Sequence, residues 1–173
     1  IGKFRKAKGD PVGAVRLRLA TNDVNWDLRG PMVCDLGNPD LVDKVAASIG
    51  PDPLRPDIPG AVPQVDTFVA AMKRRRIAIG AALLDQKIIA GIGNVYRAEL
   101  LFICGIDPQT PANSLDESEL RFLWDLAAKQ LRLGEKLDRI VTVDPKLGAY
   151  KTPGSIPAGE RLYTYKREEQ PCR

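Results

Sequence analysis

Between two stretches of helical spacing lies Gly91-Ile92-Gly93-Asn94-Val95-Tyr96. A turn that opens a helix presents backbone N–H groups with no intrahelical acceptor, and the positive end of the helix favours an anion there, a phosphate above all. Gly91 and Gly93 let helices pack closely and let a phosphodiester come near the backbone. Asn94 carries an amide that either caps the helix or donates to that phosphate. Lys87, about one turn earlier, either aims a cation at the same anion or is a solvated charge near a helix end. The paired glycines also invite a dinucleotide-binding reading, but that motif needs a preceding strand and a third glycine at the helix start, and Ala81 to Ile89 has helical spacing. With no His in the chain, histidine general bases and histidine metal ligands are excluded.

The charge distribution fits a polyanion partner. The formal net charge is only +4, but the basic residues cluster at Lys3, Arg5, Lys6 and Lys8, at Lys73-Arg74-Arg75-Arg76, and at Arg161, Lys166 and Arg167. Arg29, in a turn before Gly30-Pro31, is a DNA contact or a surface charge. Cys34, Cys104 and Cys172 are too few and too widely spaced for a closed metal site or a disulfide framework. Cys34 and Cys104 sit among apolar residues and are expected as buried thiols, which implies a reducing compartment. No apolar stretch has the length of a bilayer span and no signal-peptide pattern opens the chain, so a cytoplasmic protein is expected.

The elements that must position these residues follow from periodicity. Residues 14 to 20 alternate as a half-buried strand, Val24 to Leu28 returns beside it after Asn22-Asp23, and Met32 to Leu36 is a candidate third strand. Asn38-Pro39-Asp40 opens a helix with Asn38 as cap and Pro39 in its first turn, and Leu41, Val42, Val45, Ala46 and Ile49 form its apolar stripe. The proline-rich stretch from Gly50 to Pro63 reads as a connection. Helices are expected over Val65 to Met72, over Ile79 to Ile89 and from near Asn94. A long one follows a capping box of Ser114 and Glu117 and runs to Gly134. Tyr96 is expected in the core, and Arg97 and Glu99 are expected to pair with neighbours. After Ile140 the pattern returns to β character, with a strand over Arg161 to Lys166.

Taken together, Gly50-Pro-Asp-Pro-Leu54, Leu84-Asp-Gln-Lys87, Ala90-Gly-Ile-Gly-Asn-Val-Tyr96, Glu99-Leu-Leu-Phe102, Gly105-Ile-Asp-Pro108 and Tyr163-x-Tyr165-x-Arg167-x-x-x-Pro171-Cys172 resemble the central and C-terminal portion of the formamidopyrimidine-DNA glycosylase/endonuclease VIII family. The resemblance implies an α+β fold: the end of an N-terminal β-sandwich domain, a helix–two-turn–helix bundle and the start of a zinc-ribbon hairpin. The corresponding divisions are residues 1–37 (remnant of the β domain), 38–63 (helix and connection), 64–150 (helix–two-turn–helix domain) and 151–173 (start of the zinc-finger segment).

The resemblance further implies a DNA glycosylase/AP lyase that acts in base-excision repair on damaged double-stranded DNA as a monomer. Such an enzyme removes oxidised bases through amine attack at C1′, a Schiff base and β- or β,δ-elimination. Asn94, Gly91, Gly93, Lys87 and Arg29 are the expected DNA-binding residues, Asn94 through a backbone phosphate. One structural zinc is expected, of whose four cysteines Cys172 is the first.

No residue of this chain matches the family's N-terminal proline nucleophile, its adjacent glutamate or its early-strand lysine, so no catalytic residue is assigned. The chain is expected to be a piece of a longer protein, inactive by itself. Asp27-Leu28-Arg29-Gly30 replaces the double-arginine–phenylalanine run of formamidopyrimidine-type members, which points to endonuclease VIII-like membership. The alternative is a non-catalytic helix–two-turn–helix nucleic-acid-binding module.

Overall fold

The computed structural model describes residues 2–31 and 33–170. The chain is α+β and divides into two units, Ile1–Lys44 and Val45–Arg173.

The first unit is a three-stranded antiparallel sheet of β1 (Lys3–Ala7), β2 (Val15–Ala20) and β3 (Asn25–Arg29) in the order β1-β3-β2. The third strand is therefore the basic run at the start of the chain. Val33 to Leu36 forms no strand, and Met32 lies outside the described residues. Lys3 to Ala7 escapes sequence reading because its charges hide the alternation. Pairing fixes the rows Phe4–Leu28–Leu17, Arg5–Asp27–Arg18 and Lys6–Trp26–Leu19, and cross-strand partners share a face. An irregularity between Val15 and Leu17 sets Val15 opposite Arg29, so the strict alternation expected over residues 14 to 20 breaks at Arg16. The expected β-sandwich is here one sheet among the described residues.

Helix α1 (Pro39–Ser48) crosses the boundary between the units. Asn38 Oδ1 accepts from Leu41 N at 3.2 Å, the expected cap. Its apolar stripe is not buried: Val42, Val45 and Ile49 are exposed.

The second unit is built from α2 (Gln64–Lys73), α3 (Ile79–Ala82), α4 (Asn94–Cys104) and α5 (Glu117–Leu137). Their apolar stripes meet in one core, with Phe68, Met72, Ile79, Leu83, Ile88, Ile89, Leu100, Leu120 and Leu123 all fully buried. Phe68 packs on Trp124 with ring centroids 5.4 Å apart. Truncating such a phenylalanine to alanine costs about 3–5 kcal/mol.

The long helix α5 begins two residues later than Ser114 and Glu117 suggest. Ser114 instead ends a 3₁₀ turn and donates to Pro111 O at 2.7 Å. The box is made by Asp116 and Glu119: Asp116 Oδ1 accepts from Glu119 N at 2.8 Å and Glu119 Oε2 from Asp116 N at 2.7 Å. Nor does Gly134 end this helix, which continues to Leu137 and is capped by Asp138 at φ 50°. Gly134 makes room for Tyr96, whose hydroxyl lies 2.1 Å from where a Cβ would stand. That hydroxyl donates to Gln130 O at 3.3 Å, and burial raises the Tyr96 pKa.

Beyond Ile140 the expected strands do not form among the described residues; short 3₁₀ turns at Pro145–Gly148, Pro153–Ser155 and Ala158–Glu160 take their place. A small second cluster of Val141, Val143 and Ile156 anchors this segment. Left-handed backbone at Ala149, Lys166 and Glu169 breaks any extended run, and no distinct zinc-ribbon hairpin is present among the described residues. No helix is long and apolar enough to cross a membrane among the described residues.

Candidate nucleic-acid interface

The glycine turn is braced by side chains that the sequence pattern hides. The helix expected over Ile79 to Ile89 lasts one turn, and the chain then bends twice before α4. Asp85 drives the first bend: its carbonyl accepts from Ile88 N at 2.8 Å and its Oδ1 from Lys87 N at 3.0 Å. These local bonds compete with helix continuation. Gln86 then clasps the second bend, with Oε1 accepting from Gly91 N at 3.0 Å and Nε2 donating to Ile92 O at 2.9 Å.

The proline-rich stretch is part of the same assembly rather than a bare connection. Gly50 N donates to Gln86 O at 2.8 Å and Ala90 N to Pro51 O at 2.9 Å. A Cβ on Gly50 would lie 2.4 Å from Lys87 O, so only glycine permits this approach. Gln64 pins the rest, accepting from Asp52 N at 2.8 Å and donating to Arg55 O at 2.9 Å.

Gly91 adopts φ 84°, in the left-handed region. Gly93 is the N-cap of α4 in extended backbone and Asn94 is the first helical residue, so the helix starts where the sequence predicts but Asn94 is not its cap. The first turn-closing bond runs from Arg97 N to Gly93 O at 2.9 Å. Backbone N–H groups of Asn94 and Val95 precede it and remain open to an anion. Gly91, Gly93, Asn94 and Lys87 are all exposed. The Asn94 side chain makes no hydrogen bond among the described residues, and neither does the Lys87 ammonium. An exposed amide at an open helix end is an arrangement suited to a backbone phosphate, and Lys87 is an exposed cation in the turn that precedes it.

Arg29 belongs to the other unit. Its guanidinium donates to Val12 O and to Asp27 Oδ2, the latter at 3.3 Å. Asp27, nearly inaccessible, also accepts from Arg18 at 2.7 and 3.0 Å. The Arg18 hydrogen bond is the main reason its pKa lies below the ordinary carboxylate value.

Cys172 lies outside the described residues. Cys34 and Cys104 are partly rather than fully buried, and burial pushes the Cys104 thiol up to about 11. No group of three metal-ligating side chains is assembled among the described residues, so no zinc donor set can be built from them.

The burial and the partners of one further residue escaped the sequence reading. Glu99 pairs not with neighbours in its helix but with remote backbone: its carboxylate is completely buried and accepts from the N–H groups of Tyr163, Thr164 and Tyr165. A carboxylate flanked by Ala98 and Leu100-Leu101 on the apolar side of a helix is the signal that could have found it.

Comparison with known proteins bears on the same stretch. Residues 49–144 match the family model for the formamidopyrimidine-DNA glycosylase H2TH domain. The chain is 40% identical over 164 residues to endonuclease 8 1 of Mycobacterium tuberculosis, covering 95% of this chain and 59% of that protein. It is 36% identical over 126 residues to the formamidopyrimidine-DNA glycosylase of Ligilactobacillus salivarius, covering 73% of this chain and 43% of that one. Among solved structures it resembles the MutM (Fpg) protein from Thermus thermophilus, with TM-score 0.68 and 27% identity over 99% of this chain and 63% of that chain. The fold also matches that of the Lactococcus lactis enzyme bound non-covalently to DNA containing an AP site, with TM-score 0.69, 23% identity, and coverage of 99% and 61%. The chain thus spans about three fifths of the length of the endonuclease 8 relative.

Proposed function

Because the chain belongs to the formamidopyrimidine-DNA glycosylase/endonuclease VIII family, nearer the endonuclease VIII members, we propose that it is the DNA-holding part of a base-excision-repair glycosylase/AP lyase. The whole protein, in this reading, is a cytoplasmic monomer that removes oxidised bases from damaged duplex DNA and cleaves the abasic strand by β- or β,δ-elimination. The observation that carries the proposal is the exposed Asn94 amide at the open N-terminal end of α4, beside a turn braced by Asp85 and Gln86.

Within it Asn94 and the backbone at Gly91 and Gly93 hold a phosphate, Lys87 neutralises charge along the same strand, and Arg29 contacts DNA from the sheet unit. Residues 64–150 form the helix–two-turn–helix DNA-binding domain, 1–37 the remnant of the β domain, 38–63 the helix and connection, and 151–173 the start of the zinc-finger segment that Cys172 enters as a ligand. Zinc would fix that segment as a structural ion.

The test is a titration of the chain with a duplex carrying one abasic-site analogue and with an undamaged duplex, at several salt concentrations. Binding should weaken as salt rises, and Lys87→Gln should flatten the slope of log affinity against log salt by about 0.9, the value of one lost phosphate contact. No binding at the lowest salt sinks the proposal. Borohydride trapping on abasic duplex by the longer polypeptide that carries this chain separates enzyme from binding module: a reduced covalent adduct is expected, and its absence favours the non-catalytic module.

A further inference from the structure

Glu99 is completely buried inside α4, yet it forms no ion pair among the described residues. Removing a carboxylate from water is costly unless hydrogen bonds replace its hydration. Here a full set replaces it. Oε1 accepts from Thr164 N and Tyr165 N, each at 2.8 Å; Oε2 accepts from Tyr163 N at 2.7 Å and from the Thr142 hydroxyl. Three consecutive N–H groups converging on one carboxylate make a concave anion site of the kind that backbone nests provide, filled by a side chain from 64 to 66 residues away in sequence.

The same hydrogen bonds place the next residues of the chain. Residues 163 to 165 form no strand, so their N–H groups have the Glu99 carboxylate in place of a neighbouring ladder. Tyr165, the last of them, and the following Lys166, Arg167 and Gln170 line a cleft with Val95 of the first turn of α4. Lys166 is held in left-handed backbone at φ 56°, with its ammonium 5.9 Å from the centre of the Tyr165 ring. The carboxylate therefore lies on the helix whose start carries Asn94, and its hydrogen bonds bring the basic segment to that same start.

We infer that Glu99 is a positioning residue that ties the Tyr163–Tyr165 backbone to α4 so that Lys166 and Arg167 meet the phosphodiester chain held at Asn94. The inference rests on the DNA-binding reading of the α4 N-terminus. Glu99 itself touches no DNA; it acts through the backbone it holds.

The experiment compares the unaltered chain with Glu99→Gln, Glu99→Asp, Lys166→Gln and the Glu99→Gln/Lys166→Gln double variant. Each is measured by amide hydrogen exchange and by duplex affinity across a salt series. A glutamine keeps the size but offers one oxygen acceptor and turns an NH2 donor toward N–H groups. Glu99→Gln should speed exchange at Tyr163, Thr164 and Tyr165, weaken duplex binding about tenfold, and flatten the salt slope by about one to two units as Lys166 and Arg167 lose their register. Its effect and that of Lys166→Gln should combine less than additively, and Glu99→Asp, which keeps the carboxylate, should recover part of the slope.

Faster exchange with unchanged affinity and slope overturns the inference, since it leaves Glu99 a merely structural residue. If Glu99→Gln does not fold, Thr142→Val, which removes one donor, must flatten the slope in the same direction; an unchanged slope overturns the inference. Failure of the unaltered chain to bind DNA sinks the functional reading and the inference with it, whereas normal binding by Glu99→Gln sinks the inference alone.

Discussion

Asn94 is more informative in the structure than in the sequence because two roles that the pattern left open are separated. Gly93 supplies the N-cap, and the Asn94 amide is exposed without a protein partner among the described residues. Asn94→Ala should therefore leave the unfolding free energy within about 0.5 kcal/mol, as for an ordinary surface position. It should weaken duplex binding about tenfold, the loss of roughly 1.4 kcal/mol expected when a charged acceptor loses a donor. Urea unfolding beside DNA titration measures both, and an unchanged affinity would remove Asn94 from the interface. Asp27 offers a pH-dependent counterpart in the sheet. Its pKa is lowered chiefly by the Arg18 hydrogen bond, so the stability it contributes is present above the ordinary carboxylate pKa of about 3.9 and is lost as pH falls through the depressed folded value. Carbon-13 titration of its carboxyl should give a midpoint below that ordinary value, and Arg18→Gln should bring it back up. A midpoint that ignores the substitution would dismiss the pair.

At the scale of elements, the two glycines of the turn have different physical reasons for being there. Gly91 is at φ 84°, where any side chain is strained, although a Cβ there would meet only Leu131 at an ordinary 3.7 Å. Gly93 has extended backbone and nothing within 4 Å of a Cβ. Gly91→Ala should thus destabilise the chain by about 1–2 kcal/mol through left-handed strain, while Gly93→Ala should fold normally and lose DNA affinity because a methyl stands where the phosphate approaches. Thermal unfolding with DNA titration tells them apart; normal affinity in Gly93→Ala would mean that no ligand comes that close. The helices around this turn were legible because their apolar residues recur at three and four: α2, α4 and α5 lie close to where periodicity puts them. The turn itself was not, because Leu83, Leu84, Ile88 and Ile89 keep helical spacing while Asp85 and Gln86 end the helix through side-chain bonds. The same limit explains α5, where two overlapping box patterns compete and Ser114 is drawn into a 3₁₀ turn by Pro111. Glu99 shows the longest-range failure: its partners are remote in sequence, so no local pattern marks the residues it holds.

For the whole molecule, the two units differ in how much apolar surface each buries by itself, and each contains one of the two tryptophans. Every residue of the two buried hydrophobic clusters belongs to the helical unit, where Trp124 is 8% exposed against Phe68. In the sheet unit the apolar row residues remain open, with Phe4 48%, Leu19 51% and Trp26 38% exposed. A three-stranded sheet with one uncovered apolar face is near the lower limit of independent stability. In urea, then, Trp26→Phe leaves a reporter that should show one sharp transition with a large red shift, from Trp124 leaving the core. Trp124→Phe leaves Trp26, whose emission should start nearer that of solvent and change at lower urea. Asn94 lies in the helical unit, so Asn94-dependent duplex binding should persist between the two midpoints and vanish with the Trp124 transition. Coincident midpoints would make the chain one cooperative unit, and binding lost with the Trp26 transition would move the weight of DNA recognition to the Arg5–Asp27–Arg18 row and Arg29.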